Sequence, residues 1–176
     1  TTISGHNVPE IVEAVREQAG KILHSSTLYL IEHQVRLAEK LISVSPISGD
    51  QKVFFVSSGS EANEAALHFA TQYRRSGEII ALRGSYHGGS FGTMGTTGQS
   101  SWRPTPRSAL DVSYAMTPHR SYSPLYGPFE GNPEGFARAC AEDVRRVIET
   151  TTTGRVAAFI AEPIQGVGGF IEIPPG

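Results

Sequence analysis

The stretch VFFVSSGSEANE, residues 53–64, decides the fold. Its first four residues, 53–56, are apolar and have high strand propensity; a polar turn at 57–60 follows, and a helical pattern then begins. The stretch therefore predicts a strand, a tight turn and a helix. The first amides of a helix lack partners within the helix and carry partial positive charge. Such a turn predicts a place where an anion such as a phosphate group can bind.

Three residues of this turn are candidates for contact with a phosphate. Ser60 is a good N-cap residue, Gly59 lets backbone approach a ligand closely, and Ser58 adds a hydroxyl donor. The alternative is that Ser60 only caps the helix. The turn has neither the lysine and serine or threonine of a P-loop nor the G-x-G-x-x-G spacing, so neither common nucleotide loop is indicated.

Composition excludes several classes of protein. The 176 residues are 39% hydrophobic and carry a formal net charge of -2, which is enough chain for a domain with a core. The dispersed basic residues argue against a nucleic-acid surface, and no apolar run is long enough to cross a membrane. A single cysteine, Cys140, allows no disulfide and no cysteine zinc site, and we expect it to be buried. We expect a cytoplasmic protein with no metal site.

Apolar spacing predicts most of the other elements. Two helices are expected before Pro46, the first of them starting at Pro9. Strands are expected at 78–82 and 156–161, the latter buried, and a further helix starts at Pro133. Strand, helix and strand at this spacing indicate an α/β fold with a mostly parallel sheet and flanking helices.

Two more expectations concern packing and domain organisation. The helix after the turn should pack on the sheet through the apolar stripe of Ala62, Ala66, Phe69 and Tyr73. Residues 83–133 are dominated by glycine, serine, threonine and proline, so regular structure is hard to place there, and such a segment usually lines a site or an interface. We expect an N-terminal helical segment at 1–45 that leads into part of one larger, incomplete domain at 46–176.

Ligands of open α/β sheets bind at the carboxyl ends of the strands. Three such ends can be read from the sequence, at 57–60, 84–88 and 162–169, and we expect them to converge. The second end offers an aromatic ring and an imidazole, and the third offers a carboxylate. No G-x-S-x-G motif is present, so a serine nucleophile has little support.

The candidate side chains at the second and third ends each have two interpretations. Tyr86 can lie flat on a planar ligand or pack in the core, and His87 can adjoin the ligand or satisfy a local carbonyl. Glu162 can orient a ligand or a neighbouring side chain, or pair with an arginine, because a buried carboxylate needs a partner. The residues alone leave these alternatives open.

Four motifs together resemble the class III aminotransferases, pyridoxal-phosphate enzymes of fold type I. They read GHNVPEIVEAV at 5–15, FVSSGSEANE at 55–64, RGSYHG at 83–88 and AEPIQG at 161–166, in the family's order and over nearly the whole chain. The resemblance implies part of a three-layer large domain and a homodimer with the active site at the subunit interface. It also implies transfer of an amino group from an amino acid or amine to a keto acid or aldehyde, with pyridoxal 5'-phosphate as cofactor.

The resemblance further implies roles for six residues, namely Ser58, Gly59, Ser60, Tyr86, His87 and Glu162. The three at the start of the helix would hold the cofactor phosphate, the glycine and the second serine through their backbone amides. The tyrosine would stack on the pyridine ring, with the histidine close behind it. The glutamate would lie near the cofactor and order the pocket.

Two functional positions of the family are missing from the sequence. Family members carry, further along, an aspartate that pairs with the pyridine nitrogen and a lysine that forms the Schiff base. The lysines present are Lys21, Lys40 and Lys52, which lie on polar helix faces or ahead of the first strand. The catalytic residues therefore stay unassigned, and we expect these residues to be an inactive segment of a longer enzyme.

Val167 bears on the substrate. Several family members that act on ω-amino acids have a glutamate there, which pairs with an arginine, and valine cannot do this. The motif EPIQGV at 162–167 looks closest to the alanine-glyoxylate branch.

Two alternatives to a transaminase remain. One is another activity of the class, such as a decarboxylase or aminomutase, and the other is a non-catalytic truncated module that binds the cofactor, a phosphate or a partner subunit.

Overall fold

A computed structural model describes residues 3–104, 108–120 and 123–174. The chain divides into two compact units, Thr1–Phe54 and Phe55–Gly176. The predicted organisation, an N-terminal helical segment at 1–45 followed by part of a larger domain at 46–176, stays a prediction. Within the described ranges, no helix is both long and apolar enough to cross a membrane.

The first unit contains two amphipathic helices, α1 (Pro9–Ala19) and α2 (Glu32–Val44). Both were predicted from apolar spacing and are confirmed. Proline opens the first turn of α1, and α2 ends at an extended Ser45 because a residue before proline is pushed out of the helical region. Neither helix has a buried residue within this unit.

The second unit is built on a parallel sheet. Its strands in the described residues are β1 (Glu78–Leu82), β2 (Asp111–Ala115) and β3 (Ala158–Ile160), in the order β2-β1-β3. In the centre, Ala81 of β1 lies opposite Tyr114 on one side and Ile160 on the other. Residues 79–82 are at most 3% exposed, so β1 is the buried middle of the sheet. The predicted α/β class with a parallel sheet is confirmed.

The remaining elements surround this sheet. They are the helices α3 (Gly59–Arg74), α4 (Phe91–Thr96) and α5 (Pro133–Thr151), the antiparallel pair β4 (Ile164–Gln165) and β5 (Ile171–Glu172), and short 3-10 helices at Ser100–Trp102 and Gly127–Phe129. Helix α5 joins β2 to β3 and packs on the core formed by Ile80, Leu82 and Ala115. Cys140 of α5 is 7% exposed, which confirms the predicted buried thiol.

The strand predicted at 53–56 is wrong for the described structure. These residues belong to no sheet there, and Phe54 is 66% exposed. Strand propensity reports suitability for a sheet, but a strand also needs a neighbour to pair with. The apolar residues therefore indicated strand propensity, which by itself does not place a segment in a sheet.

The packing face predicted for α3 is also wrong. Tyr73 is 87% exposed and Phe69 53%, whereas Leu67 is the buried residue of the helix at 4%. Helix α3 contacts α4 and β3 with its other side, which is largely polar near its start. The apolar stripe does not identify the packed side of this helix, because polar side chains near its start make hydrogen bonds to the loop after β1.

Two further differences concern the strands. The segment at 83–133, where the sequence placed no regular structure, contains α4 and β2. Strand β2 escaped prediction because Asp111 and Ser113 interrupt its apolar pattern. Strand β3 is shorter than the predicted 156–161 and is not fully buried, since Phe159 is 50% exposed along an outer strand of the described sheet.

Candidate active site

Three loops meet at the carboxyl edge of the sheet. The Gly89 amide donates a hydrogen bond to Ser60 Oγ (3.3 Å), which joins the loop after β1 to the start of α3. The Tyr86 amide donates to Glu162 Oε2 (2.9 Å), which joins the same loop to the segment after β3. The three segments that were expected to converge therefore do so, although 57–60 follows no strand of the described sheet.

Ser58, rather than Ser60, caps α3. Ser58 has an extended backbone, and its Oγ accepts a hydrogen bond from the Glu61 amide (3.2 Å). The Ser57 amide donates in turn to the Glu61 carboxylate (2.6 Å). This reciprocal pairing starts the helix at Gly59, so Ser60, which its residue type indicated as a cap, lies inside the first turn.

The start of α3 presents donors to open space. Gly59 and Ser60 are its first two residues, and in the described part of the chain their amides make no hydrogen bond. A Cβ on Gly59 would meet no atom within 4 Å. Ser60 Oγ accepts from the Gly89 amide and keeps its own hydrogen available for donation. Two amides and a hydroxyl at a helix start suit an anion.

Tyr86 is not buried in the core, and it belongs to the loop that is hydrogen-bonded to the helix start. It is half-buried, and its ring makes an edge contact with the ring of Trp102, with centroids 5.6 Å apart at an interplanar angle of 69°. Trp102 itself is 56% exposed. The site therefore has an aromatic surface suited to a planar group.

His87, the residue after Tyr86, is buried. It is 4% exposed, its amide donates to Thr97 Oγ1 (3.2 Å), and its carbonyl accepts from Asn63 Nδ2 (2.8 Å). The ring Nε2 is buried with no hydrogen-bond partner among the described residues. Burial lowers the pKa of the His87 imidazole, and the nearby Glu162 charge opposes this only in part. The ring is therefore neutral at pH 7.

Glu162 connects two loops through backbone amides. One carboxylate oxygen accepts from the Tyr86 amide (2.9 Å) and the other from the Gly166 amide (3.2 Å). No ion pair of Glu162 with an arginine occurs among the described residues. The carboxylate therefore acts here as an acceptor that orders backbone.

Three polar residues of the site were not singled out from the sequence. Gln165 is 1% exposed, and its Nε2 donates to the Arg83 carbonyl (3.2 Å) and to Thr117 Oγ1 (3.4 Å). Asn63 and Glu64 of α3 bind the loop after β1. Their spacing from Ser60 along a helix was a usable signal, whereas nothing local to Gln165 indicated its contacts.

The geometry defines a class of site before any relative is considered. A helix start suited to an anion is hydrogen-bonded to a loop that carries an aromatic ring, at the carboxyl edge of a parallel sheet. Such an edge is where open α/β folds bind ligands, and these groups suit a planar ligand that carries a phosphate. The residues predicted to form the site are brought together, and their roles toward a ligand stay predictions.

The chain belongs to the class III aminotransferases, since the family model described as aminotransferase class-III matches residues 1–176. Enzymes of this class depend on pyridoxal phosphate and have the fold type I architecture. The family and the fold predicted from the four motifs are thereby confirmed.

Named relatives are of the same kind. The chain is 41% identical to alanine--glyoxylate aminotransferase 2 homolog 2, mitochondrial, of Arabidopsis thaliana, over 98% of this chain and 34% of that protein. It is 36% identical to the acetylornithine aminotransferase of Methanothermobacter thermautotrophicus, over 98% of this chain and 37% of that protein.

Solved structures agree with this assignment. A transaminase obtained by directed evolution and ancestral reconstruction matches with a TM-score of 0.83 at 29% identity, covering 97% of this chain and 38% of that one. An ω-aminotransferase from Paracoccus denitrificans matches at 0.81 and 25% identity, covering 99% and 40%. The chain thus spans 34% and 37% of the two curated relatives.

Proposed function

We propose that the complete protein transfers an amino group from an amino acid or amine to a keto acid or aldehyde, and that residues of this chain hold its pyridoxal phosphate. The observation that carries the proposal is the pairing of a donor-rich helix start with an aromatic loop in a member of this family. Pyridoxal phosphate, when bound, supplies an electron sink for bond breaking at the carbon that bears the amino group.

The start of α3 would bind the phosphate. The amides of Gly59 and Ser60 are available, and the hydroxyls of Ser58 and Ser60 accept hydrogen bonds from the chain while each keeps a hydrogen to donate. The helix dipole adds to the attraction for a dianion. The open space at Gly59 leaves room for the phosphate oxygens.

The loop after β1 would orient the cofactor ring. The Glu162 carboxylate holds the Tyr86 amide, which restrains the backbone that carries the tyrosine ring. Burial keeps the His87 ring neutral by lowering its pKa, so no positive charge lies behind the stacking position. These residues bind and orient; the groups that move protons are not assigned to this chain.

Substrate choice and assembly extend the proposal. The identity to an alanine--glyoxylate aminotransferase homologue and the uncharged Val167 support an alanine-type donor and a glyoxylate-type acceptor. Large exposed apolar side chains such as Phe170 (86%) and Phe91 (73%) support a homodimer. A cytoplasmic location stays a prediction.

A reductive trap with product analysis tests the proposal. The complete protein is incubated with pyridoxal phosphate, reduced with borohydride and digested, and the labelled peptide is located by mass. We expect one labelled lysine other than Lys21, Lys40 and Lys52, together with acceptor-dependent formation of a new amino acid. Product without an acceptor would indicate a decarboxylase or aminomutase, and binding without turnover would indicate a non-catalytic module. Absence of both labelling and binding would overturn the proposal.

A further inference from the structure

One side of the first turns of α3 carries three polar side chains, Ser60, Asn63 and Glu64. They share a face because residues three and four apart are neighbours on a helix. Each makes a hydrogen bond to the segment at 86–93, which contains the aromatic ring of the site and is named here the stacking loop. The start of α3 and the stacking loop are thus joined at several points.

Asn63 holds the stacking loop next to its tyrosine. Its Nδ2 donates to the carbonyl of His87 at 2.8 Å, in a part-buried position. The amide of Tyr86 is held from the opposite direction by Glu162 at 2.9 Å. The backbone on both sides of the tyrosine side chain is therefore fixed, and Asn63 supplies the connection to α3.

Glu64 holds the other end of the stacking loop. Its Oε2 accepts from Ser90 Oγ (2.5 Å) and from the Thr93 amide (3.0 Å). The loop lies so close that a Cβ on Gly92 would be 2.6 Å from Glu64 Oε1. A charged acceptor that serves two donors at close range is a strong and directional anchor.

We propose that Asn63 and Glu64 are positioning residues that couple the phosphate-binding start of α3 to the stacking loop. Anchoring of the phosphate on the first turn then fixes the place of the tyrosine ring, because the next turn of the same rigid helix holds the loop. The inference rests on the proposed function. Both residues act through the loop rather than by contact with the reacting atoms.

A coupling role and a merely structural role differ in what they do to ligand preference. If the two residues only stabilised the fold, their removal would lower the melting temperature and leave the relative affinities of ligands unchanged. If they couple the two halves of the site, the benefit of the phosphate group to binding decreases when they are removed. The ratio of the dissociation constant of pyridoxal, which lacks the phosphate, to that of pyridoxal phosphate measures this benefit.

The experiment uses the complete protein, freed of cofactor, as wild type and as Asn63→Ala, Glu64→Ala and Glu64→Gln. The dissociation constants of pyridoxal phosphate and pyridoxal are measured by absorbance titration. We expect the ratio of the pyridoxal dissociation constant to that of pyridoxal phosphate to decrease roughly tenfold in both alanine variants. A tenfold change corresponds to the loss of one good part-buried hydrogen bond. Glu64→Gln keeps one acceptor and should show a smaller decrease. Gln72→Ala, on an exposed position of the same helix, should match the wild type.

A second measurement does not depend on affinity. Amide hydrogen exchange in the stacking loop is followed with and without pyridoxal phosphate. We expect the cofactor to slow exchange at 86–93 in the wild type and in Gln72→Ala, and to slow it much less in Asn63→Ala and Glu64→Ala. Glu64→Gln, with the size of the native side chain, provides the same test if an alanine variant does not fold.

The outcomes separate this inference from the proposed function. If the wild type binds pyridoxal phosphate and the folded variants keep both the affinity ratio and the loop protection, the coupling is overturned and the proposed function stands. If the wild type binds neither pyridoxal phosphate nor pyridoxal, the proposed function is overturned and the coupling with it. A decreased ratio with reduced protection supports the coupling.

Discussion

The first and last turns of α3 have opposite surroundings. Near the start, Asn63 and Glu64 are half-buried and bind the stacking loop, and Leu67 is 4% exposed. Near the end, Phe69 is 53% exposed and Tyr73 87%. In the described unit this helix is positioned by directional hydrogen bonds at the site and by Leu67, while Phe69 and Tyr73 lie on its outer side.

The largest effect is expected for Gly88→Ala, which disrupts the contact between the stacking loop and the start of α3. Gly88 has a φ of 133°, and a Cβ would lie 2.6 Å from Ser60 Oγ and 2.8 Å from Thr93 Oγ1. Backbone strain and overpacking should lower the free energy of unfolding by about 2–4 kcal/mol in chemical denaturation. Gly77→Ala, where a Cβ would meet nothing within 4 Å, is the control. Equal stability of the two variants would contradict the close approach.

A somewhat smaller effect is expected from Glu162→Gln, on the opposite side of the stacking loop. The amide keeps one acceptor oxygen for the two backbone donors of Tyr86 and Gly166 and places a donor where an acceptor is needed. Loss of a charged acceptor should weaken pyridoxal phosphate binding by roughly tenfold or more in a titration of the complete protein. The exposed Glu172→Gln is the matched control. An unchanged affinity for pyridoxal phosphate would show that cofactor binding does not depend on the hydrogen bonds of Glu162.

The buried His87 should make stability depend on pH. Its folded pKa is lowered by burial, so the unfolded chain takes up the proton first as the pH falls below the ordinary value of about 6.5. Stability therefore falls with decreasing pH by at most about 1.4 kcal/mol per pH unit, and above about 6.5 both states are neutral. In thermal unfolding from pH 7.5 to 5, His87→Gln should flatten the profile, and His24→Gln, at an exposed position, should leave it unchanged. A steeper profile in His87→Gln would refute the assignment.

The smallest effect is expected at the outer end of α3. Because Tyr73 is 87% exposed, Tyr73→Ser should change the free energy of unfolding by no more than about 0.5 kcal/mol if this surface faces solvent. Denaturation of the complete protein at two concentrations measures this. A loss above about 2 kcal/mol, or a loss that depends on concentration, would show that a partner surface covers the residue and would sharpen the contrast between the two ends of the helix.

Local sequence patterns predicted the elements that depend on residues close together in the sequence. Helices α1, α2 and α5 and strand β1 follow from apolar spacing and proline positions. The turn at 57–60 was recognised because helix starts have a characteristic chemistry, although the reciprocal bonds of Ser58 and Glu61 move the cap. The family was recognised from motifs, which add specificity that spacing lacks.

The remainder depends on contacts between residues far apart in sequence. The buried face of α3 is set by Asn63 and Glu64, whose partners lie in the stacking loop, so a hydrophobicity pattern assigned the wrong side. Residues 53–56, which belong to no sheet of the described structure, show that strand propensity alone does not establish a strand. Gln165, which is 1% exposed and reaches the ends of two strands, had no local signal at all.

The strand order β2-β1-β3 has a consequence for the time course of synthesis. The central strand is made first, and both of its neighbours leave the ribosome later, so the early chain has a strand with open edges. Glu162 follows Tyr86 by 76 residues, and contacts of long sequence separation form late because of their loop-closure entropy. We therefore expect the hydrogen bond between Tyr86 and Glu162 to form late, after both neighbours of β1 have been made.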